Sequence, residues 1–351
     1  MSDPTRSFTP ESTSHCANLA AEPGGSVAQP AYSRPNRDEA LAARIQTFQQ
    51  QFDAVVANIG RVILGKDDVV RKVLLCMTAR GHVLLMDVPG TGKTMLARAI
   101  AATISSRFRR IQFTPDLLPM DITGSNVFNL RTKQFEFQQG PIFTQILLAD
   151  ELNRATPKTQ SALLEVMAER QVTVEGRTHT LEPPFQVLAT MNPLDHDGTY
   201  VLPAAQLDRF TMQLTMGFPP PEAEMRMLDV HLGNRPPVDD LQSVIDIDTF
   251  LAWQETVPLV YVSDVVKRFV VDLVNAIRAD ARALAPPSPR ATLMLVRVGQ
   301  ATALAAGRDY LLPDDVKAIA ADVLAHRMLL AGNATAHAYV HEVLTGVDVH
   351  P

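Results

Sequence analysis

Cysteine is scarce in this chain. Its two cysteines, Cys16 and Cys76, among 351 residues build no disulfide framework and match no metal-ligand spacing, a usage that suits the reducing cytoplasm. Long apolar runs are missing too, so no segment is expected to cross a bilayer as a helix. The N-terminus has scattered charges with no apolar stretch behind them, so no secretory signal is expected. Positive charge is in deficit: 32 Lys and Arg stand against 38 Asp and Glu, a net charge of −6, which counts against a general nucleic-acid binder. The dense basic cluster Arg107-Phe108-Arg109-Arg110 reads as a solvated helix end running into a strand. What is present, 46% hydrophobic and 20% charged residues, is ordinary for a soluble globular protein long enough for two domains.

Residues 1–37 are rich in Ser, Pro, Ala, Gly and Thr and poor in large apolar residues. They cannot bury enough surface to order and are expected to form a disordered tail. From Leu41 to Ile59, apolar residues recur at helical spacing. Beyond them the chain alternates helical patterns with short apolar runs at Val83–Met86, Arg110–Phe113, Ile146–Ala149, Val187–Thr190 and Thr211–Leu214. Runs of this kind suit a parallel sheet buried on both faces. After Pro219-Pro220-Pro221 the pattern turns helical throughout, with helix starts at Ser288-Pro289 and Pro313, and an earlier one at Thr156-Pro157. Trp253 and the apolar positions of 261–281 read as core of that second part. The expected fold is an α/β domain over 38–218 followed by an all-helical domain over 219–351.

The stretch Asp87–Thr94, DVPGTGKT, stands between an apolar strand and a helix. Gly90 and Gly92 let the backbone curl around an anion with its N–H groups pointing inward. Lys93 supplies a cation for the outer phosphates, and the Thr94 hydroxyl can ligate Mg²⁺. The pattern G-x-x-x-x-G-K-[ST] has glycine where this chain has Asp87, a residue that tolerates unusual backbone angles. Ile146–Ala149 is an apolar strand ending in two carboxylates. Asp150 can hold Mg²⁺ through its water shell, and Glu151 can polarise a water for attack on a γ-phosphate. Val187–Asn192 is a second buried strand with a polar tip, where the Asn192 amide can orient that water or contact phosphate. Arg209 precedes a further strand as a candidate arginine finger. Arg290, in the first turn of a helix, opposes the helix dipole, a placement that makes sense if it faces a nucleotide. Two hairpins are read at Thr123–Asn129/Gln134–Gln138 and Gln171–Val174/Thr178–Leu181. Asp195-His196-Asp197 is not read as a metal site, because adjacent side chains cannot converge on one ion.

In this order the motifs resemble those of the AAA+ ATPases, and more closely the MoxR family in the branch with a helix-2 insert. The resemblance covers about residues 60–330. It rests on Ile63–Gly65, the phosphate loop, Leu148–Arg154, Ala189–Pro193, Leu207–Phe210, Ser288–Arg290, Gly140–Phe143 and Leu163–Val174; Pro286-Pro287 departs from the family's usual Gly-Ala. It implies a phosphate-loop NTPase with a parallel sheet core and a C-terminal helical lid, binding ATP or ADP with Mg²⁺. The implied nucleotide contacts are Gly65, Pro89, Gly90, Thr91, Gly92, Lys93, Thr94 and Met95, with metal at Thr94 and Asp150 and catalysis by Glu151, Asn192, Arg209 and Arg290. It further implies a ring, expected to be a hexamer, that remodels or matures a protein partner, often one with a von Willebrand A domain. Open alternatives are an ATP-gated scaffold with little turnover, a chelatase motor subunit and a nucleic-acid motor.

Overall fold

The structure is a computed structural model; it describes Tyr32 and residues 39–193, 198–231, 237–332 and 335–349. The expected tail therefore lies outside the described residues apart from Tyr32, as does Asp195-His196-Asp197.

Two helices open the described chain, α1 (Glu39–Gly60) and α2 (Asp67–Thr78). Strand β1 (Val83–Met86) follows, then α3 (Lys93–Thr103) and β2 (Phe108–Gln112). A one-turn helix α4 (Pro119–Thr123) leads into the antiparallel hairpin β3 (Gly124–Asn129) and β4 (Gln134–Gln139). Next come β5 (Ile146–Asp150), α5 (Pro157–Glu169) and a second hairpin, β6 (Gln171–Val174) and β7 (Arg177–Thr180). The α/β part closes with β8 (Gln186–Met191), α6 (Ala204–Leu207) and β9 (Met212–Leu214).

Five strands form one parallel sheet in the order β2-β5-β8-β1-β9. The short apolar strands are explained by burial on both faces, since successive side chains point to opposite sides. Val83, Leu85, Ile146, Leu148 and Leu188 pack with α1, α2 and α3 on one face. Leu84, Leu147, Ala149, Val187 and Ala189 pack with α5 on the other. Strand β2 begins two residues earlier than its apolar run. It is an edge strand, and pairing of Phe108 with Ile146 and Arg109 with Leu147 draws the part-buried phenylalanine and the exposed arginine into the ladder.

The remainder holds α7 (Pro221–His231), α8 (Ile247–Thr256), α9 (Asp264–Ala279), α10 (Pro289–Ala305), α11 (Pro313–Leu324) and α12 (Ala336–Gly346). It is not helical throughout. β10 (Ala283–Ala285) pairs antiparallel with β11 (Leu329–Leu330), because both are short extended links that run side by side and satisfy each other's backbone groups. On α9, Val266, Phe269, Val270, Leu273, Val274 and Ile277 form a buried stripe at helical spacing. One continuous apolar core runs from α1 to α12, crossing the boundary expected near 218. Trp253 is buried against Phe48 and Phe52 of α1, with its indole N–H donating to Gln51 Oε1 at 3.0 Å.

Candidate functional site

The parallel registers bring the carboxyl ends of β1, β5 and β8 to one level, with Met86 beside Met191 and Ala149 beside Ala189. A cleft of about 420 Å³ opens there. It is lined by Asp87, Pro89 to Met95, Arg110, Asp150, Glu151 and Thr190 to Asn192. Ligands of open α/β sheets bind at this end of the strands.

Gly90 and Gly92 adopt φ of 84° and 89°, the left-handed region that glycine enters without a Cβ penalty. Gly92 is the N-cap of α3, and no side chain caps that helix. Its first N–H groups therefore face the cleft, where they suit an anion. Lys93 donates from Nζ to the carbonyls of Val88 at 2.6 Å and Asp87 at 3.1 Å. Burial lowers the pKa of Lys93, while Asp87, Asp150 and Glu151 pull it back up. Asp87 turns out to need no unusual backbone angle, since it is absent from the positive-φ residues. Its buried carboxylate instead accepts from Val88 N–H at 2.8 Å and Gly217 N–H at 2.6 Å, tying the loop to the chain beyond β9.

Asp150 Oδ2 accepts from Arg110 Nη2 at 2.6 Å and Nε at 3.0 Å, and Oδ1 accepts from Thr190 Oγ1 at 2.5 Å. Thr190 Oγ1 in turn accepts from Glu151 N–H at 2.9 Å. Glu151 sits at φ 55°, a left-handed conformation that costs a non-glycine residue ~1 kcal/mol. Its Oε2 accepts from Gln112 Nε2 at 2.7 Å and Arg154 Nη1 at 3.0 Å. Asn192 is buried at the rim of the same cleft. Thr94 and Asp150 present oxygen donors, the type that Mg²⁺ takes. Among the described residues no cluster of three His, Cys, Asp or Glu could hold a metal by protein groups alone. A cation completed by phosphate oxygens and water fits that pair of donors.

Comparison with known proteins agrees with this arrangement. Residues 82–212 match the ATPase family associated with various cellular activities (AAA), and residues 275–343 match the AAA lid domain. Chaperone MoxR1 of Mycobacterium tuberculosis is 38% identical over 92% of this chain and 86% of its own length. This chain belongs to the MoxR family of AAA+ ATPases. Protein YeaC of Bacillus subtilis is 45% identical over 84% of this chain and 93% of its own. A crystal structure of a candidate ATPase from Cytophaga hutchinsonii superposes with a TM-score of 0.83 at 33% identity, covering 89% of this chain and 99% of that one.

Not every residue that the MoxR resemblance implies lies in the cleft. Pro89 to Met95, Asp150, Glu151 and Asn192 line it; Gly65, Arg209 and Arg290 do not. Gly65, at φ 70°, lies against the start of α7, where a Cβ would come within 2.6 Å of Ala223 Cβ. Arg209 is half-buried and donates to the Leu164 carbonyl of α5. Arg290 is exposed on the first turn of α10. Sequence reading missed Arg110, Gln112, Thr190 and Arg154 as members of the site. Arg110 belongs to the basic cluster expected to be simply solvated; half-exposed, it pairs instead with Asp150.

Proposed function

We propose that this MoxR-family protein hydrolyses ATP with Mg²⁺ as part of a homo-oligomeric ring, expected to be a hexamer, and uses the cycle to remodel a protein partner in the cytoplasm. The observation that carries this reading is the convergence of Lys93, Asp150, Glu151 and Asn192 from three strand ends on one cleft. Gly90 and Gly92 shape the loop so that its N–H groups, with those of α3, bind the phosphates of ATP or ADP. Pro89, Thr91 and Met95 complete the phosphate side, and Gly65 lies toward the base. Lys93 exchanges loop carbonyls for phosphate oxygens, whose negative charge offsets the cost of burying the ammonium. Thr94 and Asp150 would hold Mg²⁺, which when bound neutralises charge on the phosphates. Glu151 accepts a proton from the attacking water, and Asn192 orients that water.

Arg209, outside its own cleft, is assigned to the cleft of the neighbouring subunit, and Arg290 to the same subunit's nucleotide through lid movement. The helical part from about 219 onward acts as that lid on the 38–218 part. The chaperone role rests on the name of the Mycobacterium tuberculosis relative. A partner with a von Willebrand A domain rests on the family resemblance alone. Among the described residues no helix is long and apolar enough to cross a membrane.

A second reading, an ATP-gated scaffold with little turnover, is favoured by one observation: the Glu151 carboxylate is engaged by both Gln112 and Arg154. Calorimetric titration with ATP tests the site itself. Lys93→Ala is expected to abolish binding, and unchanged binding removes the phosphate-loop assignment.

A further inference from the structure

Ser288 stands at the N-cap position of α10 with Pro289 behind it, the place where a serine hydroxyl normally accepts a backbone N–H. Here it makes no such cap. Its hydroxyl donates to Asp208 Oδ2 at 2.9 Å, across 80 residues of chain. The other oxygen of that carboxylate, Oδ1, accepts from Arg327 Nε at 2.9 Å.

Arg327 is buried in the turn after α11. Its Nη1 donates to the Thr211 carbonyl at 3.1 Å and to Val323. Its Nη2 donates to Phe210 and, at 3.4 Å, to the Asp208 carbonyl. Burial pulls the Arg327 pKa down and the Asp208 charge pulls it up, with Arg290 near enough to add repulsion. His326, next to it, bonds the Phe210 carbonyl through Nε2 at 3.1 Å. The segment 208–211 is thus gripped from the helical part at a carboxylate and three carbonyls, by a cation that needs all of them. Arg209, in the middle of that segment, has its guanidinium on α5 instead. Two residues after Ser288 comes Arg290.

We infer that Asp208 is a positioning residue that clamps the segment carrying Arg209 to the helix start carrying Arg290, so that the two arginines move as one unit. Resting on the roles proposed above for those arginines, the clamp gives a route between neighbouring sites. A lid displacement that shifts Arg290 over one nucleotide also resets the arginine offered to the next subunit. A helix start held only by its own cap would lack this direct link from Arg290 to the segment of Arg209.

The test uses the full chain and Ser288→Ala in place of the obvious Asp208→Asn. Asp208→Asn leaves a buried Arg327 without its counter-charge, which endangers folding. Ser288→Ala keeps that pair and removes only the link to α10. In a Glu151→Gln background, hydrogen exchange is followed by peptide with and without ATP. The clamp predicts that ATP alters exchange at 206–212 and 286–292 together, and that Ser288→Ala removes the response at 206–212 while sparing that at 286–292. Both segments responding as in the parent, or no response at 206–212 in the parent, overturns it. Turnover supplies a second arm. Ser288→Ala should lower kcat about fivefold, the worth of one hydrogen bond, with KM for ATP nearly unchanged. It should add nothing in an Arg209→Ala background, and an additive loss overturns the clamp. Wild-type turnover by Arg209→Ala alone defeats the role given to Arg209, and exchange still judges the clamp by itself.

Discussion

Arg110 reaches Asp150 diagonally across the β2–β5 ladder, with two guanidinium nitrogens at 2.6 and 3.0 Å from one carboxylate oxygen. With Thr190 on the other oxygen, both oxygens of the carboxylate proposed to serve Mg²⁺ accept hydrogen bonds in the protein alone. A cation bound there would compete with this guanidinium for the same charge.

Arg110→Ala is therefore expected to weaken the nucleotide-free protein slightly, by ~0.5–1 kcal/mol, because the arginine is about half exposed and solvent screens the pair. The stabilisation gained on adding Mg²⁺ and ADP should rise correspondingly. Thermal unfolding with and without the ligand reads both quantities, and an unchanged ligand increment contradicts the competition.

Asp87 offers a test in which restoring a motif does harm. Asp87→Gly recreates the glycine of the common phosphate-loop pattern, yet it removes the acceptor of Gly217 N–H at 2.6 Å and of Val88 N–H at 2.8 Å. Two lost hydrogen bonds, both part-buried, should cost ~1–3 kcal/mol of stability. Urea unfolding measures this, and a neutral or stabilising result would show that the loop is held by other means.

Acid should loosen the base of the sheet. His82 is buried, accepts from Val187 N–H through Nδ1 at 3.0 Å, and contacts the Met167 carbonyl through Nε2 at 3.2 Å, so the neutral Nε2–H form fits. Burial, with Arg170 nearby, lowers its pKa to about 4. The unfolded chain binds this proton near pH 6.5 and the folded chain only near 4, so the neutral histidine's contribution is complete above 6.5. It is lost as pH falls toward 4, by ~3 kcal/mol. His326, also buried and held well below its ordinary pKa, acts in the same direction. Unfolding free energies at pH 7 and pH 5 should differ for the wild type and differ less for His82→Gln.

Arg209→Ala should bind ATP normally and lose turnover by roughly 10³-fold or more, as finger arginines do in other phosphate-loop enzymes. Mixing it with Glu151→Gln should restore activity, since each variant supplies what the other lacks. A mixture as inactive as its parents contradicts a site shared between subunits.

The sheet and the phosphate loop were legible because their signals are local: short apolar runs, two glycines and a carboxylate pair at a strand end. The polar network around Asp150 was less so. Arg110 and Gln112 alternate with inward-facing Ile111 and Phe113, and that period of two marks a shared face. Only the parallel pairing of β2 with β5 shows that the face meets the site. Thr190 carried a similar faint mark as a hydroxyl in a buried strand. The link from Asp208 to Ser288 and Arg327 spans 80 and 119 residues of chain and has no local signature. The serine looked like an ordinary cap, and the tertiary contact prevailed over the local one.

The central claim is that the cleft at the ends of β1, β5 and β8 turns over ATP through Glu151. The direct measurement is steady-state phosphate release by the wild type and by Glu151→Gln, with bound nucleotide quantified in both. The account predicts release by the wild type, and ATP retained with release nearly abolished in the variant. Equal release by both proteins contradicts it.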